Sequence, residues 1–374
     1  MYISSKVVGV LLLAGLGAAF ANAQASKPGT DTIIFTNGEK LTGQFVRANA
    51  TSVTFKSDVL GNLTIDWKNV KEMQTAAKVA VIRKGVKLTK HQDISQIPQG
   101  TLAERDNTLQ ITPAAGAAPQ SIPVADAPVV IDQGTFQKSM THTPGLFGDW
   151  KGTITAGATL VEATQDSNSF NGAVALVRAE PTEDWLNPSY KTSLTYSQTY
   201  GNVSQPGTPT VTTSIFHAAA EQDQYFTSSL FALVQADFDH NYSQGLDLQQ
   251  TYNLGIGWTV VKSAKEEFDV KASVSYIRQE FQTGPSMNLV GSVFAEHYNR
   301  KLPHTLVLDE SASVTPAWNN TSAYSAAFAT MLTMPVYKRL SWSTGVIDTF
   351  LNDPGVGFRK NSVQLTLGLT YALQ

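Results

Sequence analysis

Residues 362–374 read SVQLTLGLTYALQ, and the alternation in this stretch decides the fold. Val363, Leu365, Leu367, Leu369, Tyr371 and Leu373 share one parity, while Gln364, Thr366, Gly368 and Thr370 share the other. A two-residue period puts these sets on opposite faces of a β-strand. It excludes a helix, whose apolar positions recur at three and four. A strand with so long an apolar face needs a cover for that face and a partner for its edge.

The same pattern recurs from Trp150 onward. Over residues 248–260, Leu248, Tyr252, Leu254, Ile256, Trp258 and Val260 alternate with Gln249, Thr251, Asn253, Gly255, Gly257 and Thr259. Phe268, Val270, Ala272, Val274 and Tyr276 alternate in turn with Asp269, Lys271, Ser273 and Ser275. Segments of this kind start near Gly152, Phe170, Ser189, Val211, Phe226, Leu248, Glu267, Met287, Thr305, Thr321, Lys338 and Ser362. That makes about twelve strands, or ten if the segments with mixed faces are discounted, at roughly nineteen residues per strand and turn. A soluble barrel keeps its bulky apolar side chains inside. Here one face is Ser, Thr, Gly and Asn and the other is Leu, Val and aromatic, which is the arrangement of a barrel in lipid. The reading is therefore all-β, with a transmembrane antiparallel β-barrel of about twelve strands over residues 147–374. Its last strand is expected to pair with residues 152–160 and so close the sheet. Aromatics such as Trp150, Tyr190, Trp258, Tyr276, Trp342 and Tyr371 fall near segment ends, as interfacial girdles require.

Composition agrees. Of 374 residues 42% are apolar and only 15% are charged, against about 25% in soluble domains. A net charge of −3 leaves no basic footprint, so nucleic acid is excluded as a partner. Residues 1–23 read as a signal peptide, with Lys6, an apolar run from Val7 to Phe20 and Ala21-Asn22-Ala23 before Gln24. The absence of cysteine removes disulfides and thiolate metal sites. The expected location is the cell outer membrane, with the N-terminal part in the periplasm.

That N-terminal part has shorter strands. Residues 31–73 hold four or five of them, broken at Asn37-Gly38, Ala48-Asn49 and Leu60-Gly61, which predicts a small SH3-like β-unit over residues 30–75. Residues 78–132 are a second, divergent β-unit or a linker. AVIRKGVKL repeats the layout of IIFTNGEKL, and Gly43 with Gly100, like Ile65 with Ile122, lie 57 residues apart. The stretch PAAGAAPQSIPVADAP, residues 113–128, suits either reading.

Two stretches carry a family resemblance. Residues 223–258, DQYFTSSLFALVQADFDHNYSQGLDLQQTYNLGIGW, and residues 351–373, LNDPGVGFRKNSVQLTLGLTYAL, resemble the outer-membrane β-barrels of unknown function of the DUF481 family, which includes a salt-induced outer-membrane protein of enteric bacteria. The chain departs from the family in its first hairpin, TLVEATQDSNSF, which has no Gly-Asn turn, and in ending on Gln374 rather than an aromatic. No catalytic or binding residue is established for the family, so the resemblance implies none.

Candidate chemistry is sparse. Lys191, Asp237, Asp269, Lys271 and Asp309 fall by parity on the lumen side, where they pair with one another or line a water path. Asp239, His240 and Ser243 offer an acid, a base and a nucleophile in one turn, and His217, His297 and His304 are potential metal ligands without ligand spacing. A polar hairpin turn accounts for the first set equally well. The reading is a structural or small-solute channel role, without enzymatic activity, cofactor or metal, joined to a periplasmic binding module. Expected partners are outer-membrane lipid, the barrel-assembly machinery and, for the module, peptidoglycan or a periplasmic protein. Two alternatives stay open, an outer-membrane hydrolase acting on lipid or peptide and a secreted soluble β-protein.

Overall fold

The computed structural model describes residues 30–57, 59–113, 118–161, 166–204 and 210–373, so the expected signal peptide lies outside the described residues. The chain divides into two compact units, Met1–Lys84 with Ile97–Gln133 and Gly85–Gln96 with Gly134–Gln374.

The first unit is a nine-stranded sheet. Strands β1 (Asp31–Phe35), β2 (Lys40–Ala48), β3 (Ser52–Ser57) and β4 (Gly61–Asp66) run as a meander. A 3-10 turn at Trp67–Asn69 then leads into β5 (Val70–Ile82), whose first half pairs with β1. The second half of β5 opens another meander with β6 (Gln99–Arg105), β7 (Thr108–Thr112) and β8 (Gln120–Pro123). A 3-10 turn at Val124–Asp126 leads into β9 (Val129–Asp132), which returns to pair with β5. The layout is thus repeated, with β5 serving as the fifth strand of one meander and the first of the next.

The glycine repeat has a steric cause. A Cβ on Gly43 would stand 2.2 Å from the Lys56 carbonyl oxygen, and one on Gly100 would stand 2.1 Å from that of Thr112, so neither strand crossing admits a side chain. Both meanders share one core, which runs from Ile33, Val53 and Phe55 through Met73 and Val79 to Leu102, Leu109, Ile122 and Val130. Residues 85–96 leave this unit and belong with the barrel, which interrupts what the sequence suggests is a continuous second module.

The second unit is a closed antiparallel barrel of twelve strands. They are β10 (Lys151–Val161), β11 (Asp166–Glu180), β12 (Tyr190–Ser204), β13 (Val211–Tyr225), β14 (Leu230–Asn241) and β15 (Leu246–Lys262), followed by β16 (Glu266–Phe281), β17 (Met287–Lys301), β18 (Val307–Thr315), β19 (Ser325–Tyr337), β20 (Leu340–Leu351) and β21 (Asn361–Leu373). Closure joins β10 to β21, from Gly152 opposite Leu373 to Ala156 opposite Leu369. Inside this seam Thr155 Oγ1 lies 2.7 Å from Thr370 Oγ1, and Ser343 of β20 joins the same hydroxyl cluster.

The alternation over residues 362–373 resolves as the sequence requires. Leu365, Leu367 and Leu369 face outward, Leu365 being 71% exposed, while Ser362 and Thr370 are buried inside. Among the described residues no helix is long and apolar enough to cross a membrane. One short helix, α1 (Gln133–Thr141), and residues 85–96 cover the β11–β12 turn. Phe136 stacks on Trp185 with ring centroids 5.6 Å apart, Leu88 bridges to Leu186, and the Lys90 ammonium pairs with Glu180.

One buried charge stands out in the first unit. Glu104 on β6 points into the shared core opposite Leu109 and is 2% exposed. Its Oε1 accepts the Asn107 N–H at 3.0 Å, while Oε2 has no hydrogen-bond partner among the described residues. Burial pushes its pKa up from 4.5 to about 7, against the smaller opposing effect of the Asn107 hydrogen bond. A carboxyl with a raised folded pKa takes up a proton on folding. Its unit is therefore most stable below the unfolded value, and it loses stability as pH climbs towards about 7. Glu104→Gln is expected to remove this loss, on the order of 2–3 kcal/mol above pH ~7, and to gain nothing near pH ~4. Amide exchange of β6 and β7 in the intact chain, corrected for intrinsic rates, measures both arms.

Candidate functional site: the charged lumen

Register decides which polar residues meet inside the barrel, because residues paired across an antiparallel ladder share a face. On β12 Lys191 is opposite Asp223 of β13, and its Nζ stands 3.5 Å from Asp223 Oδ2. The same ammonium lies 3.6 Å from Asp269 Oδ2 on β16, four strands further round the ring. That pair is a chord across the lumen. A second chord runs from Lys271 of β16, whose Nζ donates to Glu221 Oε1 and Oε2 of β13 at 2.5 and 2.7 Å. Asp223 and Asp269 are 0% and 1% exposed, and among the described residues the Lys191 ammonium is the nearest cation to both carboxylates, so it is their main compensation.

Apolar packing supports the chords. Phe231 and Leu233 point inward from β14 and are fully buried, and the Lys191 ammonium sits 6.0 Å from the Phe231 ring centroid. Gly257 makes room for that ring, since a Cβ there would fall 2.2 Å from two of its carbons. This side of the lumen is filled rather than open.

Two further carboxylate clusters are wetter. Asp237 accepts from Gln235 at 2.8 Å and from Asn253 at 3.1 Å, and beside it His217 Nδ1 lies 2.7 Å from Asp239 Oδ1. Across the barrel His297 Nε2 lies 3.1 Å from Asp309 Oδ2, which also accepts from Asn299 at 2.9 Å. Half of the Asp309 side chain is exposed, so solvent reaches this part of the lumen. Together Glu221, Asp223, Asp237, Asp239, Asp269 and Asp309 outnumber Lys191 and Lys271 on the inner face.

The mouth at the far end from Lys151 and Leu373 is also bridged. The Tyr242–Gln244 turn after β14 reaches the β20–β21 side, six strands away in a ring of twelve and hence opposite. Gln244 Nε2 donates to the Thr349 and Lys360 carbonyls at 3.0 and 2.7 Å, and the Gly355 N–H donates to the Gln244 carbonyl at 3.1 Å. Gly245 permits the crossing twice over. Its φ of +67° is left-handed, and a Cβ there would stand 2.5 Å from the Phe358 ring.

All five residues singled out by parity, Lys191, Asp237, Asp269, Lys271 and Asp309, are placed on the inner face. Lys191 and Asp269 meet in one ion pair, Lys271 joins Glu221, and Asp237 and Asp309 belong to separate clusters. Sequence reading missed Glu221 and Asp223, and it weighed His217 and Asp239 for other chemistry without placing them in the lumen. In AAAEQDQY, residues 218–225, both parities carry polar or small residues, so neither face could be recognised without the register.

The trio at residues 239–243 does not assemble. Asp239 points inward, whereas His240 stacks outside on Phe216 with centroids 5.4 Å apart, and Ser243 sits in the turn. Ser197 does stand opposite His217, itself opposite Asp239, but among the described residues no hydrogen bond joins the hydroxyl to the imidazole. Of the other histidines, His297 pairs with Asp309 and His304 lies in an exposed turn after β17.

Comparison with known proteins adds a family and distant folds. The family described as "Protein of unknown function, DUF481" matches residues 154–373, more than half of the chain. Among solved structures, a NanC porin is similar at 8% identity and a TM-score of 0.34, with 60% of this chain and 99% of the porin covered. The beta domain of the Bordetella autotransporter Brka is similar at 10% identity and a TM-score of 0.27, covering 60% and 98%. Among curated proteins none matches the chain.

Removing Lys191 tests the main chord. Lys191→Met leaves two buried carboxylates without a cation, which costs roughly 3–5 kcal/mol, and adding Asp269→Asn is expected to restore part of it. The temperature at which the folded, fast-migrating form disappears from unboiled detergent gels reads the loss and the recovery.

Proposed function

Because the chain belongs to the DUF481 family, whose description assigns no activity, we propose its role from the lumen: a constricted outer-membrane barrel that admits small cations and excludes larger solutes. The carrying observation is the excess of carboxylates on an inner face crossed by two ion-pair chords and a hydrogen-bonded turn. Carboxylate-lined lumens favour cations, and the chords, which join walls three and four strands apart, leave the wetter parts of the lumen, near His217 with Asp239 and near His297 with Asp309, for passage. The outward row of exposed apolar side chains, such as Leu254, Ile256, Val274, Leu365 and Leu367, supports placement in a bilayer, since a water-facing barrel would bury them.

In this reading residues 1–23 direct export, and the end of the barrel holding Lys151 and Leu373 faces the periplasm, as does the first unit. The barrel-assembly machinery acts on β21 and outer-membrane lipid covers the Leu face. The first unit serves as an SH3-like binding module for peptidoglycan or another envelope protein. Its duplicated five-strand meander, with a 3-10 turn before each fifth strand, supports that assignment.

Planar-bilayer recording of the refolded chain tests the proposal. The wild type is expected to show small, cation-preferring currents, Asp237→Asn with Asp239→Asn to lose much of that preference, and Gln244→Ala to raise conductance by releasing the turn. Large anion-preferring currents from the unmodified protein would contradict it.

A further inference from the structure

The outer wall of the barrel carries a groove of about 570 Å3 across β14 to β18, within the range of small-ligand sites. Two neighbouring rows of outward residues form it. One row runs Trp258, Val270, Glu296 and Ala312, and the next, towards the loop end, runs Ile256, Ala272, Phe294 and Val314. Ala272 and Ala312 make the floor because their neighbours are bulky: Trp258, Phe294 and Val314 stand as ridges, each more than half exposed.

Glu296 does not suit an acyl-facing wall. Its carboxylate makes no hydrogen bond or ion pair among the described residues, and both nearby cations are engaged. Lys271 borders the groove, but its ammonium lies in the lumen on Glu221. Arg300 donates to the Tyr298 hydroxyl at 3.2 Å and stands 3.9 Å from Glu266 Oε2. A carboxylate in the lipid-facing band is costly unless a countercharge meets it. Its depth tells where such a countercharge would come from. Glu296 shares a ladder row with Trp258, a residue type that settles at the membrane interface. It is also five residues from the end of β17 at Lys301, about 17 Å along the strand. The carboxylate is therefore at headgroup level, and the apolar part of the groove extends from it towards the middle of the wall.

We propose that this groove binds one phospholipid with a primary ammonium headgroup, the ammonium on the Glu296 carboxylate and one acyl chain over Ala272 and Ala312. Charge complementarity selects the headgroup, and the Trp258 and Phe294 rings reinforce it because their faces attract cations. The site rests on the outer-membrane reading, since the chain must meet lipid on this wall.

Native mass spectrometry of the full chain, refolded in detergent and incubated with equal amounts of phosphatidylethanolamine and phosphatidylglycerol, tests it. The wild type is expected to retain one phosphatidylethanolamine in preference to phosphatidylglycerol by about tenfold, roughly 1.4 kcal/mol. Glu296→Gln should bring the two lipids to parity, and Ala312→Phe, which fills the floor, should release both. Each variant is first checked for heat-modifiable gel migration, so that loss of fold is not taken for loss of lipid. Equal retention of the two lipids by the wild type overturns the site, and so does a dimer that Glu296→Gln dissociates, because a second copy then fills the groove. A chain that stays monodisperse without detergent and takes up no lipid overturns the membrane reading instead.

Discussion

A barrel that turns its leucines outward is suited to hydrocarbon, and in the proposed bilayer setting no water satisfies the backbone, so every N–H and C=O in the wall must find a partner within the sheet. This constraint is met by closure. Strand β10 pairs on one side with β11 and on the other with β21, and the ring has no free edge. The closing seam has five register pairs, from Gly152 opposite Leu373 to Ala156 opposite Leu369, fewer than the eleven between β20 and β21. Side-chain hydroxyls add to it from within, where Thr155, Thr370 and Ser343 hydrogen-bond in one cluster.

Closure also leaves the lumen as the polar compartment within the wall, and charge collects there. Two buried carboxylates facing each other repel, and burying either alone is expensive. Lys191, reaching from β12 towards Asp223 and Asp269, removes both difficulties with a single ammonium. Phe231 and Gly257 then set the space around it, the ring filling what the missing Cβ leaves free. The far mouth uses neutral groups instead, with Gln244 gripping main-chain carbonyls of the opposite wall. A filled side, a wet side and a bridged mouth together distinguish this lumen from an open water-filled channel.

The two units use one period in opposite senses. In β7, TLQIT, Leu109 and Ile111 turn into the core of the first unit and are 0% exposed, while the polar residues face out. In β21 the leucines turn out and the hydroxyls in. Strand length goes with the difference. Strands β1 to β4 have five to nine residues and suit a small sheet wrapped on its own core, whereas β15 to β17 have fifteen to seventeen, more than the ~10 that cross a bilayer. Glu104 is where the first unit breaks its own pattern, an acid at a position that alternation assigns to the core.

Strand period, strand number and the outward facing of Leu365, Leu367 and Leu369 were legible in the residues alone, because side-chain parity is local and each clean segment announces its own two faces. The inner placement of Lys191, Asp237, Asp269, Lys271 and Asp309 followed from the same parity. Which of them meet did not. Lys191 and Asp269 are 78 positions apart and Lys271 and Glu221 are 50 apart, as their numbers show, and only the closure of the ring brings strands three and four apart within reach of each other through the lumen. Asp239 and His240, adjacent in the chain, part company for the complementary reason: neighbours on a strand point to opposite sides. Where both parities are polar, as in β13 at Glu221 to Gln224, the sequence held no contrast, and the ladder to β12 and β14 supplied it. Local covalent geometry thus determined the faces, and long-range pairing of the backbone decided the encounters.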